Sequence, residues 1–291
     1  MRWEAEPDLH AFDVRVRPLL EARIENNVPA TVLTGMLQGQ HLATPPVLAV
    51  GVGEDGMIAA AALRTPPWLM LCTPVKAGDA AALLDLWLEH DPDLPGVNAL
   101  SDTARTIAAD WTRRTGGSER PRTAMALHSL RAVVDPPRPA GGRLAMASAA
   151  DRDLCLAWWD GFVADSHVID AGREARTAMV DHRIAQGHMF LWVDGGRPVS
   201  LVAINPPTAG VIRIGPVYTP PSERRRGYAT SAVAAVSRLG LEEGAHTCML
   251  YTDVANPTSN KIYADVGYRR IGEWEERVFT APSAGPSPGP V

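Results

Sequence analysis

Three consecutive arginines and a glycine, Arg224-Arg225-Arg226-Gly227, form the run in this 291-residue chain best suited to hold a phosphate. A β-prone segment, residues 211–219, leads into them. Pro220-Pro221 ends it, because proline brings no ladder N–H. A helix-compatible segment, residues 228–241, follows. Gly227 lets the backbone come close to a ligand at the start of that helix. A helix start offers unpaired amides and the positive end of the dipole. With guanidinium groups just ahead of it, the expected chemistry is binding of a pyrophosphate-sized anion. A second polar run lies at Asp253-Val254-Ala255-Asn256-Pro257-Thr258-Ser259-Asn260. Asn256 or Thr258 can cap a helix beginning near Ser259. Tyr263 then falls on or near the helix face shared by Asn256 and Ser259.

Both runs must be carried by flanking elements, and the second half of the chain supplies them. Apolar periodicity predicts a strand over 144–147 and helices over 152–163 and 174–186. A hairpin follows, 189–193 and 199–204, around Asp194-Gly195-Gly196. Strand 211–217, the arginine loop and its helix come next, then strand 247–252, a short helix 260–265 and a closing strand 273–279. The first half reads as a helical segment over 13–40 interrupted at Pro29, then a hairpin, 47–52 and 57–63, around Glu54-Asp55-Gly56. A short strand 68–72, helix 79–90, strand 97–100, a helix capped by Ser101 or Asp102 and running to Trp111, and a long strand 123–134 complete it. Residues 135–142 are dense in proline and glycine and read as an extended, exposed linker. The expected division is therefore 1–134, linker 135–142, domain 143–280, and a tail 281–291 of Pro, Gly, Ala and Ser too poor in apolar surface to fold.

Arg224-Arg225-Arg226-Gly227-Tyr228-Ala229 resembles the Gln/Arg-x-x-Gly-x-Gly/Ala cofactor loop of the GCN5-related N-acetyltransferases, the GNAT superfamily. Residues 250–268, with the asparagine-rich turn, Tyr263 and Gly267-Tyr268, are similar to that family's second motif. The resemblance is strong over 142–280 and weak over the whole chain. It implies an α/β (α+β) acyl-CoA N-acyltransferase fold, a mixed central sheet flanked by helices, present twice in tandem. It also implies a degenerate first copy, since Cys72-Thr73-Pro74-Val75-Lys76-Ala77-Gly78 stands where the loop would be and the Asn-rich turn is missing. The implied activity is acetyl-CoA-dependent transfer to a primary amine, directly and without a covalent enzyme intermediate. By resemblance, Arg224, Arg225, Arg226, Gly227, Tyr228 and Ala229 hold the pyrophosphate, and Thr230 adds its hydroxyl. Val217 and Thr219 lie on the free edge of a splayed strand that pairs with the pantetheine arm. Asn256, Ser259 and Asn260 meet the cofactor, capping being the other role open to the asparagines. Tyr263 protonates the departing thiolate, for which an ordinary phenol pKa of about 10 is suited. Asp253 and Glu223 are the candidate bases. Asp253 can equally bond the turn at Ala255-Asn256, and Glu223 can equally pair with Arg225 or Arg226. Tyr218 is a further polar group for the acceptor site, and Tyr268 reads as core.

The formal net charge of -5, with arginines clustered locally rather than in a stripe, argues against a nucleic-acid module. No apolar run reaches the ~20 residues needed to span a bilayer, and no signal peptide is evident. Cys72, Cys155 and Cys248 sit among apolar neighbours and read as buried thiols in a reducing compartment, hence the cytoplasm. His167, His182 and His188 lack ligand spacing, so no metal is expected. The expected partner is a small-molecule or peptide amine, and a homodimer is compatible with the first half serving as a subunit contact. Two other readings compete. One is a non-catalytic CoA-binding or regulatory protein on the same scaffold. The other is an enzyme that uses a longer acyl-CoA or an aminoacyl donor.

Overall fold

The computed structural model describes residues 1–39, 42, 44–166 and 172–282. His167 and residues 283–291 of the expected tail lie outside them. The chain forms two compact units, Met1–Met125 with Gly272–Val291, and Ala126–Ile271.

The first unit opens with β1 (Arg2–Ala5), α1 (Leu9–Glu21), α2 (Asn27–Leu37), β2 (Val47–Val52), β3 (Ile58–Arg64), β4 (Met70–Cys72), α3 (Ala77–His90), β5 (Gly96–Leu100), α4 (Ser101–Thr115) and the start of β6 (Ser118–Leu130). The helical segment breaks before Pro29, not at it. Pro29 lies in the first turn of α2, where a missing N–H costs nothing because that turn has no intrahelical acceptor. Neither Ser101 nor Asp102 caps α4; its N-cap position is Leu100, without a side-chain bond. Alternation along β2 to β5 turns Ala49, Ala60, Ala62, Met70, Cys72, Val97 and Ala99 toward Leu83 and Trp87 of α3 and Ile107 and Trp111 of α4. Helices α1 and α2 pack on β2, β3 and β4.

The second unit holds β7 (Arg143–Met146), α5 (Arg152–Asp165), α6 (Arg173–Ala185), β8 (Met189–Asp194), β9 (Arg197–Ile204), β10 (Val211–Tyr218), α7 (Tyr228–Glu242), β11 (Thr247–Asp253), α8 (Pro257–Val266) and the start of β12 (Arg269–Thr280). Its sheet runs β6-β11-β10-β9-β8-β7, with β10 parallel to β11 and the pairs from β7 to β10 antiparallel. One face buries Val202, Ile212, Ile214, Cys248 and Leu250 under α7 and α8. The other buries Leu191, Leu201 and Ala203 against Cys155 and Trp159 of α5 and Val180 of α6. All three cysteines are free and buried, and burial pushes their thiols up, Cys155 to about 12 and Cys248 to about 11.

Two features depart from the expected division. Residues 135–142 do not part the units; they lie on the second. Ala140 N donates to Ser231 Oγ (2.9 Å), Trp192 Nε1 to the Gly141 carbonyl (2.8 Å), and Arg238 pairs with Asp135 (2.7 Å). The closing strand also leaves the second unit. Trp274 to Val278 of β12 pair antiparallel with Leu100 to Gly96 of β5, so these residues complete the sheet of the first unit. Trp274 is fully buried there, Phe279 stacks on Trp111 (4.4 Å), and Arg277 pairs with Glu119 (2.7 Å).

Candidate active site

β10 begins beside β11, with Val211, Ile212 and Arg213 opposite Thr247, Cys248 and Met249. There the two part. β10 continues along β9 to the pair Tyr218–Leu201, past an irregularity between Ile214 and Val217 where Gly215 has φ 145°. Among the described residues, no strand covers the β11-side edge of residues 214–218. The result is a wedge between two diverging parallel strands with backbone groups along one side. An extended ligand rich in amides can pair with such an edge. Val217 packs partly on the core beneath α7. Tyr218 lies against Gly161 of α5, where an added Cβ would come within 2.5 Å of its hydroxyl.

The arginine loop closes the end of this wedge. Pro221–Glu223 makes one 3₁₀ turn, and Arg225 (φ 65°) and Gly227 (φ 81°) both take the left-handed conformation. Gly227 is the N-cap of α7, and a Cβ there would sit 3.2 Å from the Arg138 carbonyl. It offers no side chain to the helix start. The first intrahelical bond runs from Ser231 N to the Gly227 carbonyl (3.0 Å), so the amides of Tyr228, Ala229 and Thr230 precede it. Two of the three arginines shape the loop itself. Arg224 donates to the Thr219 carbonyl (2.8 Å), pairs with Asp165 and lies over the Tyr218 ring (5.8 Å). Arg226 pairs with Glu223 (3.1 Å), which also faces Arg197 (3.7 Å). Arg225 is exposed and has no ion-pair partner among the described residues. Thr219 Oγ1 bonds Ser200 Oγ (2.8 Å). The Tyr228 side chain is structural: its hydroxyl donates to Asp194 (2.6 Å), and that carboxylate pushes the phenol up.

β11 ends at Asp253, whose Oδ1 accepts from Ala255 N (2.8 Å). Asn256 caps α8, accepting from Ser259 N (3.0 Å), and Asn260 donates to the Asp253 and Val254 carbonyls (3.3 Å each). Both asparagines thus build the turn, leaving Asn256 Nδ2 and Asn260 Oδ1 for other partners. Tyr263 is buried between His128 (ring centroids 6.4 Å) and Tyr268 (6.0 Å, edge-on). Burial pushes its phenol up to about 12, above the ordinary value expected from sequence, so it keeps its proton through the physiological range. Tyr268 is core, its hydroxyl bonded to Ser237 Oγ (2.8 Å). His128 escaped the sequence reading: it is one polar residue in a β-prone run, and only the fold sets it beside Tyr263. Burial pushes its imidazole down, which leaves it neutral near pH 7.

The opposite face of the wedge carries two more residues without a sequence signal. Arg183, in the last turn of α6, lies over the Trp159 ring (4.8 Å) and donates to the Gly215 carbonyl and to Asn205 Oδ1 (2.8 Å each). Arg213 precedes the divergence on β10. Among the described residues, no group of three or more His, Cys, Asp or Glu could hold a metal, and no helix is long and apolar enough to cross a membrane.

Comparison with known proteins bears on this geometry. Residues 154–268 match the family model described as Acetyltransferase (GNAT) family. A GCN5-related N-acetyltransferase from Sphaerobacter thermophilus superposes with a TM-score of 0.64 at 17% identity, covering 97% of each chain. An acetyltransferase from the GNAT family from Colwellia psychrerythraea gives 0.60 at 11% identity, over 96% of this chain and 100% of its own. A tandem GNAT protein from the clavulanic acid biosynthesis pathway gives 0.59 at 15% identity, over 99% and 100%. No curated protein sequence matches the chain. Residues 154–268 are thus similar to the GNAT acetyltransferase family, and over nearly its whole length the chain shares the fold of these GNAT structures, a mixed sheet flanked by helices.

Proposed function

We propose that the second unit transfers an acetyl group from acetyl-CoA to a primary amine by direct attack. The observation that carries this reading is the wedge between β10 and β11 opening beside the glycine-capped start of α7. Acetyl-CoA, when bound, supplies an activated thioester. The chain's own groups do the rest. The amides of Tyr228, Ala229 and Thr230, with Arg225 and Gly227 before them, take the pyrophosphate. The free edge around Val217 and Thr219 aligns the pantetheine arm, and an N–H there polarises the thioester carbonyl. As nitrogen bonds to the acetyl carbon and the carbon–sulfur bond breaks, the Tyr263 hydroxyl donates to sulfur. Held near 12, that phenol acts first as a hydrogen-bond donor, and the proton passes over only as charge builds on sulfur. The amine's proton leaves through Asp253, which stands at the mouth of the wedge with one oxygen on the turn. Glu223 is paired with two arginines and is the weaker candidate.

The first unit has the same element order, which supports reading it as a degenerate repeat. It lacks the working parts. β4 ends where its pairing with β5 ends, at Cys72–Ala99, and only residues 73–76 lead to α3. No wedge and no left-handed loop arise there. The test is release of free CoA thiol from acetyl-CoA over a panel of primary amines. Amine-dependent release that Asp253→Asn slows by about 100-fold or more supports the proposal. Tight acetyl-CoA binding without turnover of any amine leaves a binding protein on the same scaffold.

A further inference from the structure

Arg183 and Arg213 stand together on the α5–α6 face of the sheet. Along β10, Ile212 and Ile214 pack beneath α7, so alternation turns Arg213 to the opposite side. Arg183 comes from α6 onto the same side, reaching the Gly215 carbonyl two residues past Arg213. Asn205 links the two: its Oδ1 accepts from Arg183, and its N–H donates to the Arg213 carbonyl (2.8 Å each). Both guanidinium groups are half-buried, and neither has a carboxylate within ion-pair distance among the described residues. The acids of the neighbouring helices are engaged elsewhere, Asp160 on Arg176 (2.8 Å) and Asp181 on Arg152 (2.6 Å). Arg213 bears on Arg183, the Tyr251 phenol bears on Arg213, and His188 also faces Arg183, burial and that guanidinium together pushing its imidazole down. Burial and the charge of Arg213 push Arg183 down to about 9, and burial pushes Arg213 down as well; a guanidinium keeps its charge at neutral pH.

Two half-buried like charges without a counter-ion are unfavourable unless something neutralises them. They lie where β10 leaves β11, the place at which the acceptor must meet the thioester. We infer that Arg183 and Arg213 bind the carboxylate of the acceptor, which is a small amine that also carries a carboxylate. The assignment rests on the acetyl-transfer reading and adds the acceptor's chemical class to it. A planar guanidinium fork suits a carboxylate, and Trp159 beneath Arg183 offers an apolar floor for the carbon chain.

The experiment compares L-alanine, L-leucine and L-phenylalanine with ethylamine, isoamylamine and phenethylamine as acceptors, by thiol release at saturating acetyl-CoA. The amino acids should be preferred by about 100-fold in kcat/KM, and Arg213→Gln should remove most of that ratio through KM. Arg213→Lys, which keeps the charge, should recover part of it and carries the test should Arg213→Gln fail to fold. Removing an unpaired charge should leave Tm unchanged or raise it, whereas a purely structural arginine would lower Tm and slow both members of each pair equally. Equal kcat/KM within pairs, or equal losses in the variant, overturns the acceptor assignment. A parallel titration with acetyl-CoA separates the two ideas. Binding without carboxylate preference sinks only the acceptor assignment, and absence of binding sinks the acetyl-transfer reading beneath it.

Discussion

Burial tunes Tyr263. The ring sits in the core under α8, between His128 and Tyr268, and the cost of a buried phenolate holds its proton to about pH 12. A donor of this kind should contribute no alkaline limb to the rate profile below about pH 11, since its active, protonated form is lost only as pH rises through the folded value. The acid limb belongs to the amine, which must lose its proton before it can attack. Tyr263→Phe should therefore lower kcat by about 100-fold at every pH while leaving acetyl-CoA affinity within about threefold. Rate profiles of both proteins from pH 6 to 10 check this. A bell that loses its alkaline limb in the variant would show that the phenol titrates near its ordinary value.

The elements that hold the site were partly legible in the sequence, for physical reasons. Pro220-Pro221 had to end a strand, and Gly227 before an apolar helical run lets the backbone come close to a ligand at the helix start, so β10, the loop and α7 could be read locally. The Asn256 turn was legible too, with capping and cofactor contact as its two open roles. Asn256→Ala should lower stability by about 1 kcal/mol through loss of the cap. Asn256→Asp keeps the accepting oxygen and should keep the stability. If Asn256 Nδ2 also meets the cofactor, Asn256→Asp weakens acetyl-CoA binding without lowering Tm; equal binding in the two proteins limits the residue to capping. Thermal denaturation and titration together decide. Long-range features were not legible. Arg183 reads as an ordinary basic residue in the last turn of a helix, and nothing local tells that it reaches the Gly215 carbonyl. The alternation in residues 273–279 announces a strand but not its neighbour, because strand pairing is set by register across distant segments.

At the scale of the whole molecule, the end of the chain belongs to its beginning. The family match stops at residue 268, yet residues 272–280 supply a strand, Trp274 and Phe279 to the first unit. Truncation after Ile271 should thus unfold the first unit, because losing one buried tryptophan alone costs about 3–5 kcal/mol. Circular dichroism and thermal denaturation of residues 1–271 should show the loss of helix and an early transition; an unchanged melting curve would refute this placement of β12. The central claim is that acetyl-CoA is held where β10 leaves β11 and α7 begins. Isothermal titration of acetyl-CoA into the full chain, and into the double variant Arg226→Ala with Gly227→Asp, tests it most directly. An aspartate at φ 81° adds a strained backbone and a negative charge at the helix start, both opposed to a bound phosphate. Micromolar binding in the natural chain, lost in a variant that keeps its circular dichroism, is the predicted result. Undiminished binding in the variant, or none in the well-folded natural chain, would contradict it.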